Sequence, residues 1–79
     1  MWFVYIVKCR DGSLYTGITT NISRRIEEHN SSKLGSKYTR LRRPVKLVYQ
    51  KRKKNKSYAA KEECRIKKLS RDEKLKLIT

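Results

Sequence analysis

The sequence predicts an α+β fold: a three-stranded antiparallel β-sheet flanked by α-helices, in the order β-β-α-β-α-α. Three observations carry that expectation. Residues 2–9 and 14–19 are two β-prone runs joined by Asp11-Gly12-Ser13, and a third such run occupies residues 45–49. Helical spacing of apolar residues is confined to the segments between and after those runs. Length agrees, since 79 residues leave room for one compact domain, expected to span 1–79.

The first run, rich in Trp, Phe, Val, Tyr and Ile, is apolar on both faces, so both faces are expected to be covered. Asp11-Gly12-Ser13 supplies turn chemistry, with Gly12 free to take a positive φ. The return strand follows over residues 14–19. Thr20 or Asn21 then caps a helix over about residues 22–30, with Ile22 and Ile26 turned to the core. Asn30-Ser31-Ser32 ends it. From Lys33 to Pro44 the chain is polar, basic and irregular, punctuated by Gly35 and Pro44, with no clear periodicity for a helical turn.

After the third strand, residues 51–56 read as an exposed basic loop. Ser57 is the expected cap of a helix over about residues 58–69, with Ala59, Ile66 and Leu69 towards the core. Ser70-Arg71-Asp72-Glu73 resembles a capping box and opens a last short helix carrying Leu75 and Ile78.

Composition bounds the function. Lys plus Arg number 22 against 7 acids, a formal charge of +15, which calls for an anionic partner. No basic amphipathic membrane helix is evident, so nucleic acid is favoured over a membrane surface or an acidic protein. Cys9 and Cys64 lack any C-x-x-C company, and with one His the soft ligands are too few for structural zinc. The opening apolar run has no basic lead-in and ends at Lys8, unlike a signal peptide or a membrane span. A cytoplasmic location is expected, with no disulfide.

The candidate chemistry gathers in a few places. Tyr5 and Tyr15 lie on neighbouring strands, with Gly17 two residues after the second. Arg25 and His29, at i and i+4, share one helix face. Glu62 and Glu63 sit together in an otherwise basic helix. Whether the tyrosines share a face depends on the hairpin. A three- or five-residue loop, or one bulge, puts them together, and Asp11-Gly12-Ser13 suits a three-residue loop with a glycine bulge. Taken singly, such residues are usually half-buried sheet tyrosines, a surface histidine and solvated salt bridges. The ordered set outweighs those readings.

Val4-Tyr5-Ile6, then Tyr15-Thr16-Gly17, then Arg25 and His29, resembles the GIY-YIG nuclease domain family over essentially the whole chain. The likeness is to its short stand-alone bacterial members, which Leu14 to Thr20, Arg24-Arg25, Glu28-His29-Asn30 and Ile66 to Arg71 also fit. It implies metal-dependent hydrolysis of phosphodiester bonds, usually in DNA, with repair or recombination as the setting. By the same resemblance Tyr5, Tyr15, Arg25, His29 and Glu63 are the catalytic set, Glu63 holds the metal (Mg2+ or Mn2+), and Gly17 is the motif glycine.

A phosphodiester needs an activated water, a counter-charge and help for the leaving oxygen. Arg25 suits the non-bridging oxygens and a divalent ion on Glu63 the leaving group. Tyr5, Tyr15 and His29 remain open as the base, and Glu62 remains the rival of Glu63. Gly17 lets backbone approach the substrate. Lys37, Arg40, Arg42 and Arg43, with Lys51, Arg52, Lys53 and Lys54, are expected to track phosphates, and Tyr38 and Tyr58 to stack on bases. So small a surface implies low base specificity and a protein partner for targeting. The alternative is a basic nucleic-acid-binding module of the same fold with little or no cleavage activity; a weaker third reading is attachment to RNA or a ribonucleoprotein.

Overall fold

The computed structural model describes residues 1–31 and 35–78. Ser32 and Lys33, where the first helix was expected to end and the irregular stretch to begin, lie outside the described residues. The elements are β1 (Trp2–Lys8), β2 (Leu14–Thr19), α1 (Ile22–Ser31), α2 (Lys37–Arg40), β3 (Lys46–Lys53), α3 (Lys56–Lys67) and α4 (Arg71–Leu77). The sheet is antiparallel with strand order β2-β1-β3.

The central position of β1 explains its composition. Val4, Tyr5, Ile6 and Val7 are buried in succession, because each face of the strand meets its own layer. Tyr5 and Val7, with Cys9 and Val45, form one core, against which Tyr15, Leu47 and the α1 residues Ile22 and Ile26 pack. Val4 and Ile6 form the other with Ile66 of α3, sealed by Leu14, Ile18, Val48, Tyr49, Leu77 and Ile78. Full burial of aliphatic side chains such as these contributes about 1.5–3 kcal/mol apiece.

The third strand is longer than expected. Lys51, Arg52 and Lys53, which read as loop, continue β3 and pair with Val4, Phe3 and Trp2. Lysine and arginine suit an edge strand, where side chains reach water and charge discourages pairing with another chain. The basic run therefore ends in a short turn, and α3 starts at Lys56, capped by Asn55 rather than Ser57. The Asn55 side chain accepts from the Tyr58 N–H at 3.0 Å. At the far end, α3 gives out at Lys67, where Leu69 N–H bonds the Ile66 carbonyl at 3.0 Å. Of its expected core residues, Ala59 and Ile66 are fully buried and Leu69 only partly.

Ser70 and Glu73 form the expected capping box at the start of α4. Leu77 and Ile78, rather than Leu75 and Ile78, turn its end onto the core. The stretch before Pro44 holds the additional helix α2, a single turn capped by Ser36, whose hydroxyl accepts from the Thr39 N–H. Asn30 clamps α1 to the entry of β3: its side chain accepts from the Val45 N–H at 2.6 Å and donates to the Val45 carbonyl at 3.1 Å. Both cysteines are free, Cys9 buried and Cys64 exposed.

Candidate active site

The site begins with the hairpin register. Tyr5 is the ladder partner of Gly17 and Val7 the partner of Tyr15, so both tyrosines project from the same face of the sheet. The ladder ends at Lys8 and Leu14, leaving five residues in the connection. Cys9 N–H reaches the Ser13 carbonyl at 2.8 Å, so the tight tip is Arg10-Asp11-Gly12, shifted by one residue from the expected Asp11-Gly12-Ser13. Gly12 takes the left-handed conformation there, at φ +87. The Asp11 carboxylate accepts from both the Ser13 N–H and hydroxyl, at 3.0 and 2.6 Å, and pairs with Arg42 at 3.1 Å.

Gly17 has a specific use in this register. A Cβ at that position would stand 2.6 Å from Tyr5 Oη and 2.8 Å from Cζ. The space that the glycine leaves open, expected to admit substrate, is taken by the Tyr5 phenol lying across it.

Helix α1 completes the cluster. Asn21, rather than Thr20, caps it by accepting from the Arg24 N–H at 3.0 Å. Arg25 and His29 then face the sheet one turn apart. His29 is fully buried, with Nε2 2.8 Å from Tyr5 Oη and Nδ1 2.7 Å from Thr39 Oγ1. The Tyr15 ring meets the His29 ring edge-on at 5.4 Å, and Tyr38 stacks on Tyr15 at 5.8 Å. Arg25 donates to Glu28 at 2.9 Å, and its guanidinium acts on the Tyr5 phenol. Glu28 thus orients the arginine.

Burial dominates the electrostatics. It pushes the Tyr5 phenol up to about 12, against the opposing pull of the Arg25 hydrogen bond and charge. Burial, then the Arg25 charge, takes His29 down to about 4, so the ring is neutral at pH 7. Arg25 loses some basicity to burial, but its bonds to Glu28 and Tyr5 outweigh that and hold its pKa above the ordinary value.

The two glutamates of α3 differ in their ties. Glu62 is clamped by the Arg65 guanidinium through two hydrogen bonds, at 2.9 and 2.7 Å, which hold its carboxyl below the usual range. Glu63 is half-buried and 3.5 Å from Lys67, on a helix that packs against the face of the sheet opposite Tyr5, although its charge still reaches the Tyr5 phenol. Among the described residues no three His, Cys, Asp or Glu side chains group as a metal cage.

The cations expected at phosphates divide. Lys37 and Arg40 on α2 are exposed, whereas Arg42 and Arg43 are engaged with the protein itself. Arg42 binds Asp11 and the Tyr38 carbonyl and lies over the Tyr38 ring; Arg43 donates to the backbone carbonyls of His29 and Glu28. Lys51, Arg52 and Lys53 lie along the edge strand β3, and Lys54 is exposed beyond it. By strand alternation Arg52 shares the face of Tyr5, while Lys51 and Lys53 share that of Val4 and α3. Tyr58 is exposed on α3 under Lys61.

Sequence reasoning missed Thr39, which is fully buried against His29. The spacing Ser36-x-x-Thr39 was the available signal, a serine positioned to cap a short turn. No helix among the described residues is long and apolar enough to cross a membrane.

Comparison with known proteins agrees with this arrangement. Residues 1–76 match the family model described as the GIY-YIG catalytic domain. The chain is 61% identical over 77 residues to UPF0213 protein DP2720 of Desulfotalea psychrophila, covering 98% of this chain and 70% of that protein. It is 58% identical over 76 residues to UPF0213 protein SH2523 of Staphylococcus haemolyticus, covering 96% and 92%. The solution NMR structure of UPF0213 protein BH0048 from Bacillus halodurans superposes with a TM-score of 0.62 at 46% identity, over 99% of this chain and 83% of that one.

Proposed function

Since this chain belongs to the GIY-YIG catalytic domain family, a family of nucleases, we propose that it is a metal-dependent endonuclease hydrolysing phosphodiester bonds in DNA. The observation that carries the proposal is the meeting of Tyr5, His29 and Arg25 on one face of the sheet, with Tyr5 Oη 2.8 Å from His29 Nε2. A basic module that merely held nucleic acid would have no use for a buried tyrosine–histidine pair braced by an arginine.

In this reading Tyr5 is the group nearest the attacking water. With a pKa near 12 it is a phenol at neutral pH, so it serves as a base only by passing its own proton on. His29 receives it: the water proton goes to Tyr5 Oη as the phenolic proton goes to His29 Nε2. His29 is a weak base in the free protein because it is buried beside a cation. An arriving phosphate adds negative charge and restores its basicity. Arg25, beside Tyr5, brings its guanidinium charge to the phosphoryl oxygens. Tyr15 walls the pair and keeps the ring of His29 in place.

A divalent ion, Mg2+ or Mn2+, would be held chiefly by Glu63, whose helix packs on the other face of the sheet but whose charge reaches Tyr5. Such hard cations are held by one or two carboxylates together with waters and substrate phosphate, so no protein cage is required. Glu63 is preferred to Glu62, whose carboxylate is already committed to Arg65. Held there, such an ion would supply positive charge to the phosphoryl and leaving oxygens. The exposed cations Lys37, Arg40, Lys51, Arg52 and Lys54 serve sequence-independent contacts to phosphates, and a protein partner supplies targeting.

Cleavage of labelled single-stranded, duplex and branched DNA with Mg2+ or Mn2+ tests the proposal. Wild type is expected to cut at least one of them. Glu63→Ala should lose about 100-fold or more in rate, an effect of the size seen when one group stabilising transition-state charge is removed, while still binding. Tyr5→Phe, which keeps the ring but removes the hydroxyl that passes the proton to His29, should bind equally and cut more slowly. Binding of all three substrates without cutting under either metal would leave a binding module in place of an enzyme.

A further inference from the structure

We propose that Thr39 is a positioning residue that locks His29 in the tautomer with the proton on Nδ1, leaving Nε2 bare towards Tyr5. Donors and acceptors along one chain of hydrogen bonds set this direction. Thr39 Oγ1 lies 2.7 Å from His29 Nδ1, 3.2 Å from the Ser36 carbonyl and 3.0 Å from Ser36 Oγ. A threonine hydroxyl has one proton and two lone pairs. The carbonyl can only accept: one lone pair takes the Arg40 N–H at 3.0 Å and the other is offered to the Thr39 proton. Thr39 Oγ1 is then left to accept, and Nδ1 must donate to it.

The other end of the chain demands the same answer. The Arg25 guanidinium acts on the Tyr5 phenol and is a donor only, so the oxygen of Tyr5, not its proton, is the end suited to face it. The phenolic proton then points to His29 Nε2, 2.8 Å away, which must be unprotonated to accept it. With the opposite tautomer, the Tyr5 proton would have to turn away from Nε2–H in the presence of the Arg25 cation, and the Thr39 hydroxyl would abandon the Ser36 carbonyl for Nδ1. A guanidinium at one end and a backbone carbonyl at the other thus polarise the whole chain in one direction.

Placement explains how so short a helix does this. Thr39 is fully buried and Ser36 begins the turn that carries it. Gly35, just before, packs against α1 so closely that a Cβ there would stand 2.8 Å from the Glu28 carbonyl and 2.9 Å from His29 Cα. That approach seats α2 against the back of the histidine. Orientation of a histidine through its second nitrogen decides which nitrogen is left for chemistry.

The ring tautomer stands independently of catalysis, whereas the effect of Thr39 on cleavage rests on the nuclease reading. Long-range 1H–15N correlation of the imidazole at neutral pH reads the tautomer directly, on wild type, Thr39→Ser and Thr39→Val. Wild type and Thr39→Ser should show the proton on Nδ1. Thr39→Val, similar in shape but without the acceptor, should lose that signature and cut DNA roughly 10–100-fold more slowly, the usual cost of removing an orienting partner. Thr39→Ser should restore most of the rate. A wild-type ring protonated on Nε2 overturns the proposal, as does a Thr39→Val ring unchanged in tautomer. Should Thr39→Val fail to fold, the wild-type and Thr39→Ser spectra still decide. A protein that shows the Nδ1–H tautomer but never cuts would defeat the nuclease reading alone.

Discussion

Replacing Gly17 by alanine tests the geometry on which the site depends. The added Cβ would stand 2.6 Å from Tyr5 Oη, 2.8 Å from Cζ and 3.1 Å from Cε1, where ordinary contact begins near 3.4 Å. The ring must recede by about 0.8 Å, the difference between 3.4 and 2.6 Å. Taken up along the bond to His29, that displacement carries a 2.8 Å hydrogen bond out of range. The phenol has little freedom to yield elsewhere, being buried and tied to His29. Overpacking costs about 1–3 kcal/mol, and a buried hydroxyl that loses its partner adds about as much again. A net loss of about 2 kcal/mol would lower Tm by roughly 8–16 °C in a domain of this size.

Thermal denaturation of wild type, Gly17→Ala, Tyr5→Phe and the double variant is the assay. The double variant should be less destabilised than the two single effects added together. Removing Oη relieves the closest contact although Cζ remains, and touching pairs typically show couplings of about 0.5–3 kcal/mol. Gly17→Ala melting with wild type, or strict additivity in the cycle, would refute the reasoning. The glycine would then have some other use.

Two further outcomes follow from the same cluster and its supports. His29 binds its proton with a pKa near 4 in the folded protein against about 6.5 when unfolded, so the unfolded chain takes up protons first as pH falls. Its contribution is complete above about pH 6.5 and declines towards pH 4 by about 1.4 kcal/mol per unit, which urea denaturation at stepped pH should register. Most of that loss precedes the titration of Asp11, Glu62 and Glu73, whose carboxyls are held below their usual values. Asn30→Ala should destabilise the fold by about 1–3 kcal/mol in the same assay, because it strands the Val45 N–H and carbonyl that the amide now satisfies.

The elements most legible in the sequence were those whose signals are local. The apolar run of β1, the capping box at Ser70 and the glycine of the first hairpin each announce themselves by residue type over a few positions. The family motif was legible as well, since its residues recur in fixed order. What read poorly was the charged stretch 51–56. Lysine and arginine have the same appearance in a loop and on an edge strand, and only pairing with β1 distinguishes them.

From the sequence alone followed the fold class, the call for an anionic partner and the residue types at the site, because composition and short-range spacing express them directly. Tertiary structure alone decided which groups touch. That Gly17 makes room for Tyr5, that Glu28 steers Arg25 and that Thr39 holds the far side of His29 are contacts between segments, or between neighbours on a helix whose rotamers the surrounding packing selects. The physical reason is directional. A hydrogen bond needs its partners within about 3 Å and aligned, and the separation of 10 residues between His29 and Thr39 carries no information on either until α2 docks against α1.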